Sequence, residues 1–227
     1  MQQSFSAITT MVRNLLNRKP LTPAYFKAKG LVLKIEDDDL YSIKSDNNNT
    51  ELSQIFANGI IYRGADLICY KGMTIPELTL KEVQENPRIT VGDTSAFIEP
   101  LVGKRIFMYW DPKKQDWAFA DDKKTNSVYG KTIRDSIYDI MNVEYFYTYV
   151  FVIPEQNKER GFVLETMYDN KKGTECGWGF VIDRARRMNV GTVNFYYFEG
   201  FEKLEATDFP LRLQDASKNK YYITGLV

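Results

Sequence analysis

The feature that most constrains the fold of this chain is a series of short runs of β-branched and aromatic residues. Turn residues separate these runs. The run Tyr145 to Ile153 is the most strand-like, because flat and branched side chains pack well on a pleated surface. Several such runs face each other across short turns, which indicates hairpins. Helical segments stand between them without regular alternation. We therefore expect an α+β fold with antiparallel sheets flanked by helices.

Local patterns predict the individual elements. Hairpins are expected from 31–35 with 40–44, and from 59–63 with 66–70 around Arg63-Gly64. The other expected strands are 97–110, 116–120, 145–153, 161–168 and a C-terminal group that closes with 221–224. The expected helices are 4–18, 79–86, 131–143 and 178–188, with a turn at 169–173.

The N-terminal segment is a predicted amphipathic helix that Pro20 and Pro23 end. No acidic residue precedes Glu36, so the segment is basic. Two interpretations stay open: an organelle transit peptide, or a helix that docks on the domain or on a partner. We favour docking, because the pattern runs on into ordered-looking sequence without an obvious processing site.

Composition excludes several kinds of chemistry. The chain has no histidine, which rules out Ser-His-Asp and Cys-His catalysis and any His-ligated metal. Cys69 and Cys176 are too far apart for zinc spacing or a disulfide framework, so we expect two buried thiols in an intracellular, reducing compartment. The sequence contains no run of 18 apolar residues, so we expect no membrane-spanning helix. With 30 basic and 30 acidic residues, net charge gives no support to nucleic-acid binding.

Several segments, taken in order, resemble motifs of the T4-type RNA ligase family. They are 57–62 with 67–70, 99–110, 117–120, 148–157 and 168–175. The resemblance covers about residues 30–225. It implies a ligase-type nucleotidyltransferase domain over residues 30–227, preceded by a basic amphipathic helix and connector over residues 1–29.

The family attacks ATP with a lysine and forms a lysyl-AMP intermediate. By the resemblance, that lysine matches Pro100 here, and the neighbouring Asp matches Val102. The metal-associated Glu matches Val152, and the Arg of an Arg-Gly pair matches Asn58. Gly103 is kept.

A site for Mg²⁺ and a triphosphate needs carboxylates and amines, whereas three of these positions hold Pro or Val. The resemblance therefore implies a catalytically inactive domain without a cofactor, acting as a structural or protein-interaction component. Exposed aromatic residues would suit a protein partner; the candidates are Tyr145, Phe146, Tyr147, Tyr196 and Tyr197. Degenerate relatives occur in large DNA viruses, which implies a cytoplasmic or virion role in assembly.

The alternative is an ATP- and Mg²⁺-dependent ligase, or a nucleotide- or RNA-binding module, with a relocated site. Lys104 is the nearest amine, but four residues along a strand place it about 13 Å away. The last two family motifs match either Glu199-Gly200 with Lys218 and Lys220, or, as we prefer, 207–211 with 222–224. The remaining candidate contacts are Glu99, Arg184, Arg186 and Arg187. The three arginines suit the end of the predicted helix 178–188, or else a phosphate backbone.

Overall fold

A computed structural model describes most of the chain, in fourteen stretches. These are residues 5–17, 22–46, 56, 58–72, 75–91, 95–98, 102–121, 130–137, 142–155, 161–183, 188–192, 195–196, 211–215 and 220–225. The helices are α1 (Phe5–Leu16), α2 (Pro23–Lys27), α3 (Leu80–Glu85) and α4 (Gly130–Ile137). The strands are β1 (Leu31–Asp37), β2 (Leu40–Ser45), β3 (Ile60–Arg63), β4 (Asp66–Tyr70), β5 (Glu77–Leu78), β6 (Ala96–Ile98), β7 (Gly103–Asp111), β8 (Asp116–Asp121), β9 (Tyr147–Pro154), β10 (Phe162–Asp169), β11 (Glu175–Asp183), β12 (Met188–Thr192), β13 (Phe195–Tyr196), β14 (Leu211–Gln214) and β15 (Lys220–Ile223).

The chain divides into two compact units, each built from two separate segments. The first contains Met1–Thr74 and Gly103–Gly191, and the second contains Ile75–Val102 and Thr192–Val227. The predicted boundary after residue 29 stays a prediction.

One sheet of the first unit is a four-stranded antiparallel meander in the order β1-β2-β3-β4. The amphipathic pattern of α1 explains how the helix joins this sheet. Its apolar residues Val12, Leu15 and Leu16 are buried in one cluster with sheet residues such as Leu31 and Tyr62. Removing this apolar surface from water stabilises the unit by roughly 25 cal/mol per Å².

The other sheet of the first unit has six antiparallel strands in the order β12-β11-β10-β9-β7-β8. One side of it packs on α4 through a cluster that includes Ile106, Phe151 and Ile133. The opposite side meets β3 and β4 through a second cluster, in which Phe107 and Val150 contact Ile61 and Cys69. The two sheets of this unit therefore share an apolar layer.

A buried ion pair lies at the ends of β3 and β7 in the same unit. The Nε and Nη2 atoms of Arg63 donate to the two carboxylate oxygens of Asp111 at 3.2 and 2.5 Å. Asp39, in the β1–β2 turn, accepts a third hydrogen bond from Arg63 at 2.6 Å. Burial alone would raise the pKa of Asp111, but the hydrogen bonds and charge of Arg63 hold that pKa below its ordinary value.

The second unit contains a five-stranded sheet in the order β13-β6-β14-β15-β5. Its strands are antiparallel except for the β15–β5 pair. Helix α3 begins with a capping box between Thr79 and Glu82, which satisfies two backbone N–H groups at the helix start. Leu80 and Val83 of α3 are buried against Phe97 and Leu213.

The structure confirms both predicted hairpins, the N-terminal helix, and the helix near residues 79–86. It also confirms strands at 116–120, 145–153 and 161–168, within one or two residues at most ends. Both cysteines are free, as expected, although only Cys69 is buried and Cys176 is partly exposed.

The predicted helix 178–188 is wrong. Glu175–Asp183 is the strand β11, and Met188–Thr192 is β12; residues 184–187 lie outside the described ranges. Strand β11 pairs with β10 from Phe162↔Ile182 to Tyr168↔Glu175, so its backbone groups are satisfied by a distant strand. Its aromatic, β-branched and glycine residues also suit a strand better than a helix. The presence of Arg184, Arg186 and Arg187 is therefore not explained by the C-terminal end of a helix.

Three other elements differ from expectation. The run 97–110 is divided between β6 and β7, which belong to different sheets, and Pro100 stands between them, where it could not donate to a ladder. Helix α4 ends at Ile137 within the described residues. The connector after α1 contains α2, where Pro23 begins a helix, since proline fits the first turn.

Candidate functional site

The structure describes six of the thirteen candidate motif and contact residues. Val102 is 65% exposed. Gly103 and Lys104 begin β7, Val152 lies in β9, and Lys220 begins β15. The Asn58 amide donates to the carbonyl of Gly72 at 3.3 Å. Glu99, Pro100, Arg184, Arg186, Arg187, Glu199 and Lys218 lie outside the described ranges.

The register of β7 on β9 fixes which of these residues share a face. Arg105 is opposite Val152, and Lys104 is opposite Ile153. Cross-strand partners share a face, and consecutive residues alternate between faces. Lys104 and Val152 therefore lie on opposite faces of the six-stranded sheet.

Gly103 permits a close approach between β7 and β9. A Cβ atom built at residue 103 would collide with the backbone carbonyl of Ile153 and meet a methyl of Val152 at 2.9 Å. The family resemblance also assigns a glycine here. In this chain the immediate physical reason is the tight packing of two adjacent strands.

We use the name Val152 face for the side of the sheet that carries Arg105, Phe107, Val150 and Val152. A charged pair crosses it, because Glu165 on β10 accepts hydrogen bonds from Arg105 at 3.1 and 3.4 Å. Glu165 stands at an irregularity in the pairing of β10, between Leu164 and Thr166. Such a bulge redirects a side chain, which accounts for a carboxylate among apolar neighbours.

Lys71 adds a second cation to this face. It directly follows β4 and is only 8% exposed. Its Nζ lies 5.1 Å from the centroid of the Phe107 ring and donates to the backbone carbonyl of Asp121 at 2.6 Å. The amine is thus held by a carbonyl oxygen and an aromatic face.

Lys104 meets the same aspartate from the other side of the sheet. Its Nζ lies 3.1 Å from the carboxylate of Asp121, whose side chain is largely buried. Asp121 therefore contacts Lys104 through its carboxylate and Lys71 through its carbonyl. The two lysines do not share a face.

The Val152 face carries two cations, Lys71 and Arg105. Glu165 offsets the charge of Arg105, so the net positive charge there is small. Cys69, under the same apolar layer, is not poised as a nucleophile, because burial raises the pKa of its thiol to about 12 despite the nearby charge of Lys71. Within the described ranges, no three His, Cys, Asp or Glu side chains are grouped to hold a metal ion.

Sequence reasoning missed Lys71, Arg105, Asp121 and Glu165. Glu165 interrupts an apolar strand, a signal that could have marked it as a buried or functional charge, whereas Arg105 follows Lys104 at the polar start of β7. Their partnership could not be inferred locally, because 60 residues separate them.

No protein family matches the sequence, and no curated protein matches it. No helix among the described residues is long and apolar enough to cross a membrane. Among solved structures, the chain is similar to two described as an archaeal ATP-dependent RNA ligase, form 1 and form 2. Each has a TM-score of 0.54, and the identities are 13% and 12%.

Each match covers 96% of this chain and 64% of the solved chain. The similarity thus takes in nearly all of this protein and less than two-thirds of the length of the ligase. At such low identity it concerns the fold alone. The chain has an RNA ligase-like nucleotidyltransferase fold, of the α+β class with antiparallel sheets.

Proposed function

We propose that this chain is a degenerate RNA ligase-like domain that forms no covalent lysyl-nucleotide and acts as a structural or protein-interaction component. The observation that carries the proposal is the placement of Lys104 relative to Val152. Lys104, the amine that follows Pro100 most closely in the sequence, lies on the opposite face of the sheet from Val152, the matched metal-associated position.

Covalent nucleotidyl transfer needs an amine with a lone pair beside the reacting phosphate. The Nζ of Lys104 lies 3.1 Å from the carboxylate of Asp121, on the face of the sheet opposite Val152. Lys71 is on the Val152 face, but its amine is held by the Asp121 carbonyl. Neither lysine is arranged as a nucleophile.

The matched valines support the same proposal. Valine offers no oxygen to Mg²⁺ and no charge to a triphosphate, so Val102 and Val152 do not fit a magnesium-bound nucleotide. Val152 is fully buried between β7 and β10. A charged residue there would carry a large desolvation cost unless it were paired.

Exposed aromatic rings support a role in protein interaction. Tyr145 is 62% exposed and rests on Trp110 with ring centroids 4.3 Å apart. Phe146 is also exposed and contacts Tyr147. Tyr and Trp are enriched in interface cores.

The setting we propose for this interaction is an intracellular or virion assembly, as in a large DNA virus.

A second candidate function is non-covalent binding of a nucleotide or RNA end. Lys71 and Arg105 favour it, because two cations on one face of the sheet could hold phosphate. Under this alternative ATP and Mg²⁺ would be ligands, and Lys104 and Lys220 would be secondary contacts.

The test is intact-mass spectrometry of the purified, folded chain after incubation with ATP or GTP and Mg²⁺. We expect no adduct of one nucleoside monophosphate, while an active RNA ligase treated in parallel acquires one. An adduct would overturn the proposal, and peptide mapping would show whether Lys71, Lys104 or another lysine carries it.

Calorimetric titration with ATP tests the second candidate. Saturable binding that Arg105→Ala weakens and Lys114→Ala leaves unchanged would favour it over a purely structural role. Lys114 is an exposed lysine in the β7–β8 turn and serves as the matched control. No heat of binding would leave the interaction role as the function to pursue.

A further inference from the structure

An open groove of about 400 Å³ runs along one side of α1 in the first unit. Five residues of α1 form one wall, and two residues in and after α2 form the other. They are Ala7, Thr10, Met11, Asn14, Leu15, Tyr25 and Lys29.

The wall residues of α1 recur at intervals of three and four, so they form one stripe along the helix. From Ala7 to Leu15 the stripe extends for about 12 Å at 1.5 Å per residue. Val12, Leu15 and Leu16 are buried against the four-stranded sheet, and Met11 packs against the same cluster, so the groove stripe borders the buried side of the helix. Helix α1 thus presents a second, partly apolar side to the groove.

This geometry fits another α-helix. Helices pack with ridges in grooves at axial distances of about 8–10 Å, and small residues such as Ala7 allow a close approach. Met11 and Leu15 provide an apolar floor, and Tyr25, which is 41% exposed, can cover an apolar side chain of the docked helix. A groove of two helical turns suits the i, i+3, i+4 and i+7 positions of an amphipathic helix.

The charge around the groove selects among such helices. The described ionisable side chains of α1, α2 and the turn after α2 include Arg13, Lys27 and Lys29, all exposed. None is acidic, and the sequence has no acidic residue before Glu36. The guanidinium of Arg13 is held at the β3–β4 turn, where it donates to the carbonyl of Ala65 at 3.0 Å and lies 3.9 Å from Asp66. Lys29 is the charged residue that lines the groove itself. Opposite charge favours the correct partner and speeds its association.

We propose that this groove is a docking site for an acidic amphipathic helix of a protein partner. The inference rests on the proposed interaction role and names its surface and the chemistry of its partner. Apolar side chains of the partner helix occupy the space between Met11 and Tyr25. Its carboxylates lie near Lys29 at the end of the groove.

The probe is a fluorescein-labelled helical peptide of about 18 residues, or about five turns. It carries Leu at heptad positions a and d, Glu at e and g, and Ala or Gln elsewhere. Its twin carries Lys in place of Glu. Fluorescence anisotropy with the full chain should give saturable, micromolar binding of the acidic peptide, roughly tenfold tighter than binding of the twin, and weaker in high salt.

Two pairs of variants locate the site. Ala7→Trp fills the groove, whereas Ser6→Trp places the same ring on the exposed part of α1 outside it. Lys29→Glu reverses a charge at the groove, whereas Lys114→Glu reverses one in the β7–β8 turn. We expect Ala7→Trp and Lys29→Glu each to weaken binding by about tenfold or more, and both controls to leave it unchanged.

Absence of saturable binding by the acidic peptide would overturn the inference, as would equal binding of the two peptides or equal effects of a variant and its control. Binding of a labelled single-stranded oligonucleotide that Lys29→Glu abolishes would assign the groove to nucleic acid instead. These outcomes leave the nucleotide-adduct test unaffected. A nucleotide adduct, in turn, would overturn the proposed function without changing the peptide affinities measured at the groove.

Discussion

Asp111, at the end of β7, accepts two hydrogen bonds from the buried guanidinium of Arg63, at the end of β3. The pair ties the four-stranded sheet to the six-stranded sheet across 48 residues of sequence. Asp111 also accepts backbone hydrogen bonds from Lys113 and Lys114, so it shapes the β7–β8 turn as well. Both side chains are almost completely buried, so the contact between them is shielded from water and salt.

We predict that Asp111→Asn lowers the free energy of unfolding by about 2 kcal/mol, because Arg63 loses its buried anionic partner and keeps the more exposed Asp39. Urea unfolding followed by circular dichroism measures the loss. Asp66→Asn is the control, since the Asp66 carboxylate is 80% exposed and lies 3.9 Å from Arg13. It should change stability by less than about 0.5 kcal/mol. Equal losses in the two variants would contradict the importance of the buried pair.

The same pair predicts a pH dependence. The folded pKa of Asp111 is held below its ordinary value by Arg63, although burial opposes this shift. The carboxylate therefore stabilises the fold fully above its unfolded pKa of about 4, and this contribution is lost as the pH falls through the lower folded pKa. The stability difference between the native chain and Asp111→Asn should be constant above about pH 5 and should shrink below about pH 4. If the stability difference shrinks between neutral pH and about pH 5, the pH dependence belongs to a group other than Asp111.

Gly103→Ala should destabilise the chain by about 1–3 kcal/mol, because the added methyl group collides with the carbonyl of Ile153 and forces β7 away from β9. Thermal unfolding provides the measurement. The matched control is Gly64→Asn at the β3–β4 turn, where a Cβ atom meets nothing within 4 Å. Its positive φ of 58° is one that asparagine tolerates. A Gly103→Ala variant as stable as this control would show that β7 and β9 can separate at low cost.

Cys69 should resist alkylation in the folded chain. Burial raises the pKa of its thiol to about 12, and only the thiolate reacts. At about pH 8 its reaction with iodoacetamide should be about a thousandfold slower than that of the same cysteine in the urea-unfolded chain. Peptide mass spectrometry over time distinguishes Cys69 from the partly exposed Cys176. Rapid folded-state labelling of Cys69 would mean that β4 opens readily.

The sequence alone determined the elements whose signals are local. The helix α1 follows from apolar residues three and four apart, and the hairpins β1–β2 and β3–β4 follow from short apolar runs around turn residues. The absence of histidine fixed the chemistry the chain cannot perform. The order of the motifs also gave the fold class, which the similarity to the archaeal RNA ligase structures confirms.

The tertiary structure decided what depends on distant partners. Residues 178–183 form a strand because β10 supplies their hydrogen bonds, which no local pattern contains. Arg105 forms its hydrogen-bonded ion pair with Glu165, which is 60 residues away in the sequence. Lys104 and Val152 fall on opposite faces because the register of β7 on β9 places them there. A shift of one residue in that register would reverse the assignment, and register is set by the packing of whole sheets rather than by the residues of one strand.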